Sequence, residues 1–194
     1  MAGGNFYIAS IDIGTDKIAV LIAEIEDDDR LHIIGHNISP SDGVRKGSIS
    51  AIDSLSRAIS KALDQIHKST KLAPINARVN LSDTHLTCSE GYGKVPINEV
   101  VTADDVEKVL EIASAITTPS NKFQLHTIKK KFIIDENKDN IVDNPEDMKA
   151  EVLESKAHIV TVSSASVRNI ENCLKQCDLM VDKIVLDPIA NSEA

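Results

Sequence analysis

The chain contains no tryptophan, and aromatic residues make up only 3% of its 194 residues. That excludes the aromatic platforms on which sugars and single-stranded bases stack. Its three cysteines, Cys88, Cys173 and Cys177, form no CxxC pair, which excludes a disulfide scaffold and fits a reducing compartment. Long apolar runs are missing too. The longest, Ile18 to Ala23, is six residues, against the roughly 20 a helix needs to cross a bilayer. The opening Met-Ala-Gly-Gly-Asn has neither the positive n-region nor the apolar h-region of a secretory signal, so a cytosolic location is expected. Basic residues are outnumbered, 21 against 30 acidic, for a net charge of −9. That speaks against a nucleic-acid partner, whose phosphates need Lys and Arg to neutralise them. What is present is enough apolar material, 42%, for one large domain or two small ones.

Alternating and apolar runs predict strands over Phe6–Ile13, Lys17–Glu26 and Leu31–Ser39. The last two are joined by Asp27-Asp28-Asp29-Arg30, read as a solvated hairpin tip because turns favour Asp. Beyond the Pro/Gly-rich stretch Pro40–Gly47, Ile52, Leu55, Ile59, Ala62, Leu63 and Ile66 recur with helical period, predicting a helix over Ala51–Lys68. Ser50 and Asp53 have the spacing of a capping box at its start. Short strands follow at Ala77–Leu81 and His85–Glu90, where the composition shifts.

Thr102 with Asp105 announces a second helix, which Pro119 stops. Gln124–Asp135 and Glu151–Val162 read as strands separated by the polar segment Glu136–Asp147, expected to be a mobile or partner-contacting loop. Lys129-Lys130-Lys131 fits an edge strand guarded against pairing. Ser164 or Ser166 caps a helix with Val167, Ile170, Leu174 and Cys177 on one face, and Asp182–Leu186 is a further strand. Asp187-Pro188 opens a last helix of two turns, a length marginal in water, and the expectation is that the sequence is the front of a longer protein.

The sharpest chemical feature is Asp12-Ile13-Gly14-Thr15-Asp16-Lys17, a tight turn between two apolar strands. Gly14 permits close approach of a ligand, so amides over Gly14–Asp16 suit an anion nest, with the Thr15 hydroxyl as a further donor. Asp12, at the strand end, suits a Mg²⁺ held through water, and Lys17 adds a point charge. An ordinary hairpin turn has the same signature in isolation. No G-x-x-x-x-G-K-[ST] and no G-x-G-x-x-G is present, which excludes a P-loop and a dinucleotide fingerprint. His32 and His36, four apart on a strand, are expected to share a face, without the further ligands a zinc site needs. Cys173 and Cys177 read as packed thiols. No nucleophile–base pair stands out.

These segments together resemble the FtsA family of bacterial actin-like cell-division proteins. YIASIDIGTDKIAVLIAEI is similar to the family's phosphate-binding hairpin, and Gly43–Leu63 to its Lys-Gly turn and following helix. Ala77–Cys88, Gly91–Ala113, Leu125–Pro145 and Lys156–Ala194 carry the likeness over nearly the whole chain. The resemblance implies an α/β fold. An actin-like, ribonuclease H-like subdomain 1A, with a mixed sheet and flanking helices, would occupy residues 1–75 and 161–194. A small α+β strand-helix-strand-strand subdomain 1C would be inserted at residues 76–160.

It further implies ATP with Mg²⁺ as cofactor of the whole protein, bound through Asp12, Gly14, Thr15 and Lys17 with Asp12 on the metal through water. This chain would hold half of that site. No catalytic residue is implied, because a nucleotide with different affinities for two conformations switches between them without turnover. The implied partners are FtsZ filaments, later division proteins and further copies through 1C. The inner membrane at the division site would be reached, on its cytoplasmic face, by a C-terminal amphipathic helix outside this sequence. An actin-superfamily ATPase or phosphotransferase, and an actin-like protein of pilus assembly, are the alternatives.

Overall fold

The computed structural model describes residues 6–26, 30–82, 86–137 and 139–192. The chain divides into two compact units, Met1–His85 with Ser164–Ala194, and Leu86–Ser163. The expected acidic tip at 27–29 lies outside the described residues.

In the first unit, β1 (Phe6–Ile13), β2 (Lys17–Ile25) and β3 (Leu31–Pro40) form an antiparallel meander, as their alternation and short turns dictate. On the other side of β1 the sheet turns parallel. β6 (Asn76–Leu81) pairs with β1, and β11 (Met180–Leu186) with β6, giving the order β11-β6-β1-β2-β3. One face of this sheet is apolar, with Ile11, Ile13, Ile18, Val20, Ile22, Ala77 and Val79 all buried. Against it pack α1 (Ile52–Thr70), through Leu55, Ile59, Ala62 and Ile66, and α3 (Ser164–Lys175), through Val167, Ile170 and Leu174. These are the positions the helical period marked.

The start of α1 differs from expectation. Its N-cap is Ala51, which makes no side-chain cap, while the Ser50 hydroxyl donates instead to the Gly43 carbonyl at 3.1 Å. The preceding loop folds back on itself. Gly43, at φ +86°, takes the amides of Ser50 and Ala51 on its carbonyl, and this close return wins Ser50 away from the helix. Within that loop, β4 (Val44–Arg45) and β5 (Ser48–Ile49) form a small hairpin unread in the sequence. Lys46 (φ 50°) and Gly47 (φ 76°) turn it, the two positive φ values of a type I′ turn.

Two further expectations are corrected. Residues 76–82 belong to the first unit, so the boundary lies after residue 85 rather than 75, because β6 is the parallel strand between β1 and β11. His32 and His36 lie on opposite faces of β3. A bulge places them opposite Glu24 and Leu21, residues three apart on β2, and an inserted residue flips the side-chain alternation.

Between α1 and α3, the Ser56 hydroxyl donates to the Ile52 carbonyl (2.9 Å) and the Cys173 carbonyl (3.1 Å), and the Cys177 thiol donates to the Ser56 carbonyl (3.3 Å). Burial pushes the Cys173 thiol up to about 11 and raises that of Cys177 as well. Since the thiolate is the nucleophile, the folded protein is expected to alkylate rapidly at the exposed Cys88 alone. Cys173 and Cys177 should follow only on unfolding, and mass-resolved iodoacetamide kinetics read this directly. Fast native modification at Cys173 would contradict the buried seam.

The second unit is built on β7 (Thr87–Pro96), α2 (Ala103–Ser114), β8 (Lys122–Ile134), β9 (Ile141–Val142) and β10 (Val152–Ser163). Its antiparallel sheet has the order β7-β10-β8-β9, a strand-helix-strand-strand unit with β9 as a short addition. Helix α2 lies over β7 and β10, burying Val109 and Leu110 with Val95, Phe132, Ile134 and Leu153. β9 pairs Ile141 and Val142 with Ile133 and Phe132, so the expected long loop is partly strand. Among the described residues the rest of β8 has no outer neighbour, and the exposed Lys129 and Lys131 stand on that edge as strand-guarding lysines should. The side chain of Lys130 lies outside the described residues.

The helix start announced by Thr102 and Asp105 forms, as a capping box. The Asp105 amide donates to the Thr102 hydroxyl at 3.3 Å, and the Thr102 amide donates to the Asp105 carboxylate at 3.1 Å. The hydrogen bonds from Thr102 hold the Asp105 carboxyl below its usual value. A depressed carboxyl contributes stability above its unfolded value, lost as pH falls through the folded one. Thr102→Ala is therefore expected to lower the thermal midpoint of this unit by a few degrees at neutral pH. As the pH falls through the folded value and Asp105 protonates, the difference should shrink; a shift that persists unchanged to the acid limit of the folded protein would remove the carboxylate from the account.

Candidate functional site

The first unit brings the carboxyl ends of three parallel strands side by side, the usual place for a ligand in an α/β sheet. At the end of β1 the chain turns through Gly14–Asp16 into β2. The Gly14 amide donates to the Lys17 carbonyl at 3.0 Å, and a Cβ on Gly14 would lie 2.9 Å from that same oxygen. Glycine is thus required by the tightness of the hairpin. The amides of Thr15 and Asp16 have no backbone acceptor among the described residues, which leaves two donors of the expected nest; the third, on Gly14, is spent inside the turn. The Thr15 hydroxyl oxygen accepts the Gly47 amide at 3.0 Å, tying the β4–β5 hairpin to the turn and leaving the hydroxyl hydrogen to donate. Asp12, Thr15 and Lys17 are exposed. All four residues read from the sequence therefore stand at one turn.

Two side chains join them that sequence reasoning did not assign to the site. Asn80, at the end of β6, accepts the Ile13 amide on Oδ1 at 2.6 Å and donates from Nδ2 to Asp12 Oδ1 at 2.6 Å. The same nitrogen donates to Oδ1 of Asp187, the residue after β11. Asp187 carried only the signal of a helix N-cap, and Asn80 only that of a polar residue in a strand. A cavity of about 50 Å³ beside them, lined by Ile13, Gly47, Asn80, Ser82 and Asn169, has room for water.

Among the described residues the donor set is hard: two carboxylates and hydroxyl groups, with no thiol or imidazole. Among the described residues no three His, Cys, Asp or Glu side chains gather as a metal cage. Those features fit a Mg²⁺ that keeps its waters and leans on phosphate oxygens. Asp12 would hold such an ion through water, while the turn amides, Thr15 and Lys17 would face the anion.

Residues 83–161 match the family described as the SHS2 domain inserted in FtsA. Over 190 residues and 97% of this chain, 33% are identical to the cell division protein FtsA of Neisseria meningitidis serogroup B, of which 45% is covered. The FtsA of Borreliella burgdorferi is 34% identical over 96% of this chain and 46% of its own length. The chain belongs to the FtsA family. It spans about half the length of the curated FtsA relatives it matches. A solved PilM–PilN type IV pilus biogenesis complex superposes with a TM-score of 0.57 at 11% identity, over 96% of this chain and 49% of that one, which shows the fold alone. The first unit is the actin-like α/β part of an FtsA fold, and the second is its SHS2 insert. No helix among the described residues is long and apolar enough to cross a membrane.

Proposed function

We propose that the protein works in cell division as an ATP-binding scaffold. The observation that carries this reading is the convergence, at three parallel strand ends, of Asp12 and Asp187 with a turn whose Thr15 and Asp16 amides have no backbone acceptor among the described residues. In the whole protein, Asp12, Gly14, Thr15 and Lys17 hold one side of Mg-ATP. Occupancy biases the conformation by differential affinity, and hydrolysis is not required. The SHS2 insert contacts further copies and later division proteins. FtsZ filaments are tethered to the cytoplasmic face of the inner membrane at the division site. The pilus-assembly alternative has support from the fold alone, whereas the sequence relatives are division proteins. A phosphotransferase would need an acid or base poised by a nucleophile, and the site offers carboxylates engaged with an amide.

Titrating the 194-residue chain with Mg-ATP under ¹⁵N-edited NMR tests the location. Shifts are expected at Gly14–Lys17, Gly47 and Asn80, with half-saturation above ~1 mM because one side of the clamp is present. Low-micromolar affinity by calorimetry would overturn the half-site, and shifts confined to other residues would overturn its position.

A further inference from the structure

Asn80 is half-buried, and its side chain is committed on both ends. Oδ1 takes the Ile13 amide at 2.6 Å, while Nδ2 gives to Asp12 at 2.6 Å and also to Asp187. Few groups can do this. A carboxylate has no hydrogen to give, a hydroxyl has one, and only a primary amide offers two donors beside an acceptor in so short a side chain.

We infer that Asn80 is a positioning residue that holds the Asp12 and Asp187 carboxylates together as one acidic pair. The inference rests on the phosphate-and-cation reading of this turn and adds the residue that arranges its acids. The Ile13 amide fixes the plane of the Asn80 side chain. A trigonal nitrogen donating one hydrogen to each acid then sets the two acceptor oxygens roughly 4 to 5 Å apart. Each carboxylate keeps its second oxygen for a water of a hydrated cation. Without the amide, two like charges at that spacing repel, and nothing ties the end of β11 to the end of β1 through this point.

The test uses the 194-residue chain and Mn²⁺ as the paramagnetic probe. Both side-chain amide protons of Asn80 are expected well downfield of a free asparagine amide and slow to exchange. Mn²⁺ should broaden Ile13, Gly14 and the Asn80 side chain before other signals. Asn80→Ala and Asp187→Ala should each raise the Mn²⁺ concentration for half-broadening by about tenfold, as loss of an outer-shell partner does. The double variant should be no worse than either single one. Additive losses would overturn the inference, because Asn80 would then act independently of Asp187. Asn80 amide protons at free-amide positions would overturn it outright. If Mn²⁺ leaves the spectrum untouched while those protons stay shifted, the cation reading fails and the pairing stands. Should Asn80→Ala not fold, Asp187→Ala still reads the pairing, by returning one of the two protons to its free position; both staying shifted overturns it.

Discussion

Gly91→Ala is expected to destabilise the SHS2 unit by about 3 kcal/mol or more, the upper range for overfilling a packed interface. Gly91 and Gly93 alternate on the face of β7 under α2, and both are buried. A Cβ on Gly91 would lie 1.7 Å from the Ala113 carbonyl oxygen and 2.9 Å from its carbon; on Gly93 it would lie 2.1 Å from the Val109 carbonyl oxygen. Val109 and Ala113 are one turn apart on α2, so the helix backbone rests directly on the strand backbone at both glycines. The obstacle is main chain, which no rotamer change can move aside. Accommodating a methyl means lifting α2, and that opens the cluster of Ala113, Ala157 and Ile159.

A unit of this size holds roughly 4 to 12 kcal/mol in all, so the substitution should cost on the order of 15 °C in its thermal midpoint. Tyr92→Ala is the control. Tyr92 stands on the opposite face, 51% exposed, with its hydroxyl donating to Glu154 at 2.6 Å, and it should cost far less. Circular-dichroism melts of the two variants decide the matter. Equal shifts would mean the glycines are not what lets α2 approach.

The same two glycines show why part of the fold was hidden in the sequence. The strand expected to stop at Glu90 continues to Pro96, through the glycines that weaken strand propensity. Their value lies in a helix contact that strand patterning does not express. Where apolar period alone decides, as in α1, α2 and the β1–β2 hairpin, sequence and structure agree within a few residues. Ser50 was misread because two local partners compete for one hydroxyl, and the distance to Gly43 decides between them. The assignment of Asn76–Leu81 to the insert failed for a different reason: a strand announces itself locally, but its sheet is set by pairing with residues far along the chain.

The site follows the same division. Asp12, Gly14, Thr15 and Lys17 are legible because they share one turn. Asn80 reaches Asp12 and Asp187 only through parallel pairing, across 68 and 107 residues of sequence.

Asp12→Ala, in a protein of the full length of its FtsA relatives, is expected to weaken Mg-ATP binding by roughly 30- to 100-fold, the equivalent of one charge-assisted contact of about 2 to 3 kcal/mol. Asp12 is exposed at the end of β1, so its removal leaves no cavity in the core. Asn80 retains its bonds to Ile13 and Asp187, so the strand ends stay joined and the melt should move by a degree or two.

The metal dependence carries the assignment. Because Asp12 would act through the cation, its loss should not weaken the affinity for ATP in excess EDTA, where a carboxylate near the phosphates only repels them. Lys17→Ala, which removes a charge facing the phosphates directly, should weaken binding with and without Mg²⁺. Calorimetry of both variants in the two conditions separates the roles. Equal weakening of Asp12→Ala in EDTA would mean that Asp12 shapes the turn instead of serving the ion. An unchanged Mg-ATP affinity, with an intact melt, would remove the half-site from the ends of β1, β6 and β11.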